Sequence, residues 1–346
     1  MIFKKVRSQI EANKRRSDAG ETVTIPFPFA RFGKHIPGID RKMYIGLTAN
    51  QKVGKSQLTD EMFVFHPFEY WLKHRNFTLK IFYFSLELSV ESKIKKLISR
   101  LLYKKYGRRI SPLELDSKFE GRSIDEEDLG LINKLESYFV LFEQCVKYIT
   151  HLRSPKEIFN YLKRYAENNG EVITQADGSI KYNYPEDEFR IVIVDHISLL
   201  RNLPEHTQRE TLGVFSSDYM LELRDTYGYT IVSVQQQAQA QEGIKNFELD
   251  RLQPSVDGLG NNKEVSRDYD LLLGLFNPSR FRINRYNGYD IDILGDHYRE
   301  LNVINNRDGE PIATSLYFDG AVNYFKELPP SFHTEDLKRI YDTIPK

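Results

Sequence analysis

The run Ala49-Asn50-Gln51-Lys52-Val53-Gly54-Lys55-Ser56 constrains this chain more than any other stretch. It fits the phosphate-loop pattern G-x-x-x-x-G-K-[ST], with Ala49 in the first glycine position. A short apolar strand is predicted over 43–49 before it, and an amphipathic helix to about Trp71 after it, which is the context the pattern requires. In that context backbone N–H groups of the loop and of the helix N-terminus surround an anion. Gly54 allows close backbone approach, Lys55 reaches the β- and γ-phosphates, and the Ser56 hydroxyl ligates Mg²⁺. Residues 49–56, with Gln57 next on the same turn, are therefore the candidates for holding a nucleoside triphosphate. The plain alternative is a strand-turn-helix that uses glycine for geometry alone.

The rest of the chain alternates strands with helices, the mark of a doubly wound, mostly parallel sheet. Strands are predicted at 79–84, 190–195, 230–234, 271–276 and 301–305, with strand material at 138–150 and a closing hairpin at 312–324. Helices are predicted over 89–106, 156–168 and 211–226, with two short ones within 111–135. Ser154-Pro155 reads as an N-cap and first-turn proline. Alternation around Ala176-Asp177-Gly178-Ser179 reads as a surface hairpin at 171–184. The first seventeen residues carry six Lys or Arg against one acid and favour a helix over 4–16. That helix is either a solvated, fraying end or an arm that docks on a neighbouring subunit. Residues 1–35 are thus read as a basic helical arm with an extended linker. Residues 36–328 form an α/β ATPase domain, and 329–346 a tail helix.

Composition removes several other classes. A single cysteine, Cys145, excludes an internal disulfide and a cysteine-based zinc site. No apolar run approaches the roughly 20 residues that span a bilayer, so no membrane partner is expected and a cytoplasmic location is. Net charge is zero, so any nucleic-acid surface must be a local patch.

Three further stretches carry chemistry. Asp195 ends a continuous apolar strand, where ligands bind in such sheets, and can hold the magnesium through water. Glu87, in Ser85-Leu86-Glu87-Leu88, ends another strand and either orients the attacking water or sits as an acid near a helix N-terminus. Gln235, the first of three glutamines after strand 230–234, can hydrogen-bond a γ-phosphate.

In this order behind a phosphate loop, Ser85-Leu86-Glu87-Leu88, Val194-Asp195-His196-Ile197-Ser198 and Ser233-Val234-Gln235 resemble the DnaB-like replicative helicases. Asp195-His196-Ile197-Ser198 is also similar to the T7-type phage helicase. Asp268 and Asp270 before strand 271–276, and Asn305-Asn306-Arg307-Asp308-Gly309, extend the resemblance over roughly residues 36–326. It implies a RecA-like P-loop ATPase fold, ATP and Mg²⁺ as cofactors, Glu87 as catalytic carboxylate and Gln235 as γ-phosphate sensor. Arg307 becomes an arginine finger inserted into the neighbouring subunit's site. Partners implied are single-stranded DNA, further copies in a homo-hexamer, and a primase or helicase loader. Asn305 stands where the family has lysine, and the family's N-terminal primase-interacting domain has no counterpart before residue 36. Candidate DNA contacts are Arg201 and Arg209 in one loop and Asn261, Asn262 and Lys263 in another. The expected function is a phage-type, ring-forming helicase motor translocating on single-stranded DNA. The rivals are a RecA- or RadA-like recombination ATPase and a non-motor, nucleotide-gated DNA-binding or loader protein.

Overall fold

The computed structural model describes residues 2–344 except 119, 120, 122, 176, 177, 179, 186 and 250. Side chains of residues 5, 240, 241, 244, 245, 261 and 262 are also outside the described set. Its centre is a nine-stranded sheet in the order 324–327, 313–319, 298–306, 271–276, 44–49, 230–236, 188–195, 78–85, 146–149. The last six in that order run parallel, and the first three add antiparallel strands at one side. This is a RecA-like α/β architecture. The central strands Tyr44–Ala49 and Glu188–Asp195 are buried at every position, as their apolar runs require when helices cover both faces.

Two apolar layers flank the sheet. One lies under the long helical segment that follows the phosphate-loop strand and joins Leu58, Met62, Phe63 and Phe68 to Leu47, Ile193 and Val234. The other lies under Pro155–Asn168 and the helices after Gln208, and joins Ile158, Leu162 and Leu223 to Val192, Tyr44 and Tyr269. Strand alternation makes this division, since successive side chains point to opposite faces.

Most predicted elements are present within a few residues, including the N-terminal helix Ile2–Asp18 and the tail helix Thr334–Tyr341. Residues 138–150 differ. Only Val146–Ile149 is strand, and Glu136–Cys145 is helix. Its aromatic, β-branched composition favours a strand, but Leu135, Tyr138, Phe142 and Cys145 fall on one helical face and are buried together. Packing of that face overrides propensity. Pro155 opens its helix as predicted, whereas the Ser154 side chain makes no cap bond. The predicted surface hairpin pairs Glu171–Thr174 with Ile180–Asn183, and most of its turn, residues 176, 177 and 179, lies outside the described residues. No described helix is long and apolar enough to cross a membrane.

Candidate functional site

Strand Tyr44–Ala49 delivers the chain to a loop, and helix Lys55–Asp60 starts directly after Gly54. The helix continues through a wider π turn, Glu61–Phe65, into His66–His74. Gly54 has φ +102°, and a Cβ there would stand 3.0 Å from the Phe318 ring. Both facts require glycine at this position. Among the described residues, no acceptor takes the N–H groups of Lys52, Val53 or Gly54. Free N–H groups on a tight loop ahead of a helix N-terminus make an anion-binding concavity.

The Lys55 ammonium belongs to this concavity. Burial pulls its pKa below the usual lysine value, and Asp195 and Glu87 pull it back up. Those two carboxylates therefore lie within electrostatic reach of the loop, although their strands are not adjacent to the loop strand. Leu86 N–H donates to the Asp195 carbonyl at 2.9 Å, which fixes the Glu87 turn beside the Asp195 strand end. Glu87 is exposed and precedes Ser89, whose hydroxyl caps the next helix by accepting from Ser92 N–H. Ser89 fills the capping role, so Glu87 is free to face the loop.

Asp195 is 3% exposed. Burial alone would raise its pKa, but Lys93, Lys55, Tyr83 and Ser56 together hold it below the ordinary carboxylate value. The Tyr83 hydroxyl donates to Oδ2 at 2.7 Å, and Lys93 Nζ stands 3.7 Å from the same oxygen. Oδ1 is buried with no hydrogen-bond partner among the described residues, and the Ser56 hydroxyl is near enough to the carboxylate to help lower its pKa. An ionised, orphaned carboxylate oxygen beside a serine hydroxyl fits a hydrated Mg²⁺, which takes few protein ligands and completes its shell with water and phosphate oxygens. No cluster of three or more His, Cys, Asp or Glu with metal-holding geometry occurs among the described residues.

Behind Asp195 stands a buried network that sequence reasoning missed. Lys93 Nζ donates to both Asp60 oxygens at 2.9 and 3.1 Å and to the Tyr83 hydroxyl at 2.6 Å. In the sequence Lys93 is one cation among several on the helix predicted over 89–106. The available signal is its spacing, because it shares a face with Leu97, Arg100 and Leu101, all buried. Removing one partner of a buried charge network leaves the others uncompensated. Lys93→Met is therefore expected to cost about 3–5 kcal/mol of stability, measured by denaturant unfolding. A loss below about 1 kcal/mol would mean the network is not formed.

Gln235 is turned away from the loop. Its Nε2 donates to the Tyr269 hydroxyl at 2.9 Å and it is 1% exposed. That contact lies in the layer under the 208–225 helices, away from the helix that begins at Lys55. The strand runs two residues past the predicted end, to Gln236, and alternation turns Gln236 toward the phosphate-loop side, in register with Ala49. Gln237 is buried and structural, donating to Thr48 Oγ1 and the Ser255 carbonyl.

Other site candidates fall into place around the loop or away from it. Asn50 is buried and donates to Glu242 at 2.6 Å, while Gln51 and Lys52 are exposed. Arg307 sits far from its own loop. Its N–H donates to the Asp270 carbonyl, and its guanidinium to the Asp270 carboxylate at 3.0 Å and the Arg267 carbonyl at 2.7 Å. Asp270 in turn accepts from Tyr44 N–H at the start of the loop strand. Five residues, about 16 Å of strand, separate that point from Ala49, more than an arginine side chain spans.

The two candidate DNA loops come together. Arg209 pairs with Glu264, joining the segment after Asp195 to the segment 257–267, and Lys263 pairs with Asp257 at 2.7 Å. Both pairs are exposed, and each offsets a cation. The side chains of Asn261 and Asn262 lie outside the described residues.

The fold and this site define a RecA-like P-loop architecture. A solved structure of an isolated ATPase domain superimposes with a TM-score of 0.70 at 15% identity, covering 93% of this chain and 98% of that one. A DnaB-like replicative helicase, solved in a study of its interactions with primase, gives a TM-score of 0.67 at 15% identity. The match covers 92% of this chain and 65% of that one, so the chain spans just under two thirds of that helicase's length. The likeness establishes a shared fold, that of the DnaB-like helicase ATPase domain. No family model and no curated protein sequence matches the chain.

Proposed function

We propose that the protein is a ring-forming DNA helicase motor that hydrolyses ATP with Mg²⁺ and moves along single-stranded DNA. Residues 49–57 hold the triphosphate, and Ser56 and Asp195 would hold a hydrated Mg²⁺, whose chemistry when bound would be to screen the phosphate charge. Glu87 orients and deprotonates the attacking water, and Gln236 takes the γ-phosphate contact that the sequence reading assigned to Gln235. Residues 36–328 act as the motor domain, 1–35 as an arm that packs on the next subunit, and 329–346 as an appended tail. A primase or a loader would be its replication partner, in the cytoplasm of a bacterial host if the gene is a phage's.

One observation carries this reading: Arg307 and the phosphate loop occupy opposite ends of the same sheet. An arginine that cannot reach its own nucleotide can reach a neighbour's, which makes turnover depend on assembly. The arm supports the same geometry, since Ile2, Val6 and Ile10 are exposed along one face of its helix and a single chain leaves that face unburied. The test is the particle's mass with an ATP analogue, together with ATPase rate with and without single-stranded DNA. A closed ring stimulated by DNA supports the motor, open filaments support a recombination ATPase, and no stimulation supports a nucleotide-gated loader.

Backbone contact to DNA should be sequence-independent. Arg201→Ala and Lys263→Ala are each expected to weaken single-stranded DNA binding equally across sequences and to lower the slope of log affinity against log salt by about 0.7. Fluorescence anisotropy over a salt series measures this, and a changed base preference would remove these residues from the backbone grip.

A further inference from the structure

We infer that Arg299 and Arg280 are positioning residues that hold the phosphate loop in its anion-binding conformation before nucleotide arrives. The inference rests on the phosphate-loop reading above and adds to it two residues from the chain that follows strand Leu271–Phe276, one in the connection and one in the antiparallel strand after it.

Arg299 lies in strand Tyr298–Asn306 and is fully buried. Its Nε donates to the Val53 carbonyl at 2.6 Å, and Nη1 donates to the carbonyls of Asp296 and Tyr298, each at 2.7 Å. The guanidinium carbon is 4.9 Å from the Phe318 ring centre, the same ring that closes against Gly54. Arg280, in the short helical turn Pro278–Phe281 just after strand Leu271–Phe276, donates from Nη1 to the Gln51 carbonyl. Its other nitrogen pairs with Glu242 at 3.4 Å, and Glu242 also accepts from Asn50. Two arginines thus take alternate carbonyls of one loop.

The consequence follows from peptide geometry. The loop's peptide bonds are trans, and a trans peptide points its C=O and the next residue's N–H in opposite directions. With the Gln51 and Val53 carbonyls turned outward to the arginines, the N–H groups of Lys52 and Gly54 turn inward. Those N–H groups lack acceptors among the described residues, and converging free N–H groups form an anion nest. The arginines are therefore placed to bear the ordering cost of the loop in the free protein, which is how preorganisation raises affinity.

Charge works in the same direction. Arg299 has one carboxylate partner, Asp296 at 3.2 Å, which is 79% exposed. Burial lowers its pKa to about 10, with Asp296 only partly offsetting this. A buried cation so lightly compensated favours a polyanion nearby.

The experiment is equilibrium titration of Arg280→Ala and Arg299→Lys with fluorescent ATP and ADP analogues, alongside steady-state kinetics and melting of the nucleotide-free protein. Each variant is expected to raise both dissociation constants about tenfold, the scale of one lost hydrogen bond to a charged group. KM should rise in step, with kcat falling much less. Arg280→Ala changes a part-exposed side chain and should melt with the native protein. Affinities within twofold of native in both variants overturn the inference, as does a lower melting point for Arg299→Lys with unaltered affinity. Lys55→Ala separates the two levels. If it too binds and turns over nucleotide like the native protein, the phosphate-loop reading itself fails. If it alone loses binding, only the arginine inference fails.

Discussion

Lys55→Ala is expected to cut ATP turnover roughly a hundred- to a thousandfold, the scale of removing one preorganised electrostatic contact to developing charge. The geometry explains why so much rests on one side chain. Its ammonium is the charge through which Asp195 and Glu87 communicate with the loop, and both carboxylates act on its titration. Without it, two acids face a concavity that must receive a polyanion, with Lys93 and Lys96, behind Asp195, left to oppose them. Nucleotide binding should therefore weaken along with catalysis. Turnover at saturating ATP and analogue binding measure the two effects separately. Native turnover would remove residues 49–57 from the nucleotide site, and native binding with lost turnover would confine Lys55 to the transition state.

The parts of this site that could be read in the sequence are those whose chemistry is local. Gly54, Lys55 and Ser56 announce themselves because the pattern that implies their roles is contained within eight residues. Asp195 was legible because a buried parallel strand leaves a continuous apolar run, and its first acid marks the strand tip. The choice among Gln235, Gln236 and Gln237 was not legible, for the reason that makes strands readable at all. The side-chain period is two, so a shift of one moves the amide to the other face. The register against Ala49, which no local pattern encodes, is what favours Gln236 in the reading proposed above. Arg299 and Arg280 lie 246 and 229 positions along the chain from the loop carbonyls they hold, and no local pattern encodes contacts of that range. Lys93 falls between these cases, since its spacing carried the signal while its charge argued for solvent.

Arg307→Ala is expected to leave nucleotide binding nearly native and to lower turnover by about 10³–10⁵, the range for loss of an arginine finger. The finger's own chain cannot use it. Strand Tyr298–Asn306 runs antiparallel to Leu271–Phe276, so Glu300 lies beside Phe276 near the loop end while Asn306 lies beside Leu271 at the other. In the single chain Arg307 rests on Asp270 and the Arg267 carbonyl, and it is 47% exposed, so docking a neighbour requires that it exchange a part-exposed ion pair, of a kind worth about 1 kcal/mol, and one hydrogen bond to a carbonyl for the triphosphate. This makes a mixing experiment decisive. Arg307→Ala subunits keep intact loops, and Lys55→Ala subunits keep intact fingers. In rings mixed at random in equal amounts, about half of the interfaces in a closed, head-to-tail assembly join the two variants, and about a quarter of all interfaces pair an intact loop with an intact finger. Those interfaces should turn over ATP although neither variant does alone, with activity peaking near equal mixing and vanishing at both ends. Co-assembly without any recovery would place the catalytic arginine elsewhere, and with it the argument that this site is built between two chains.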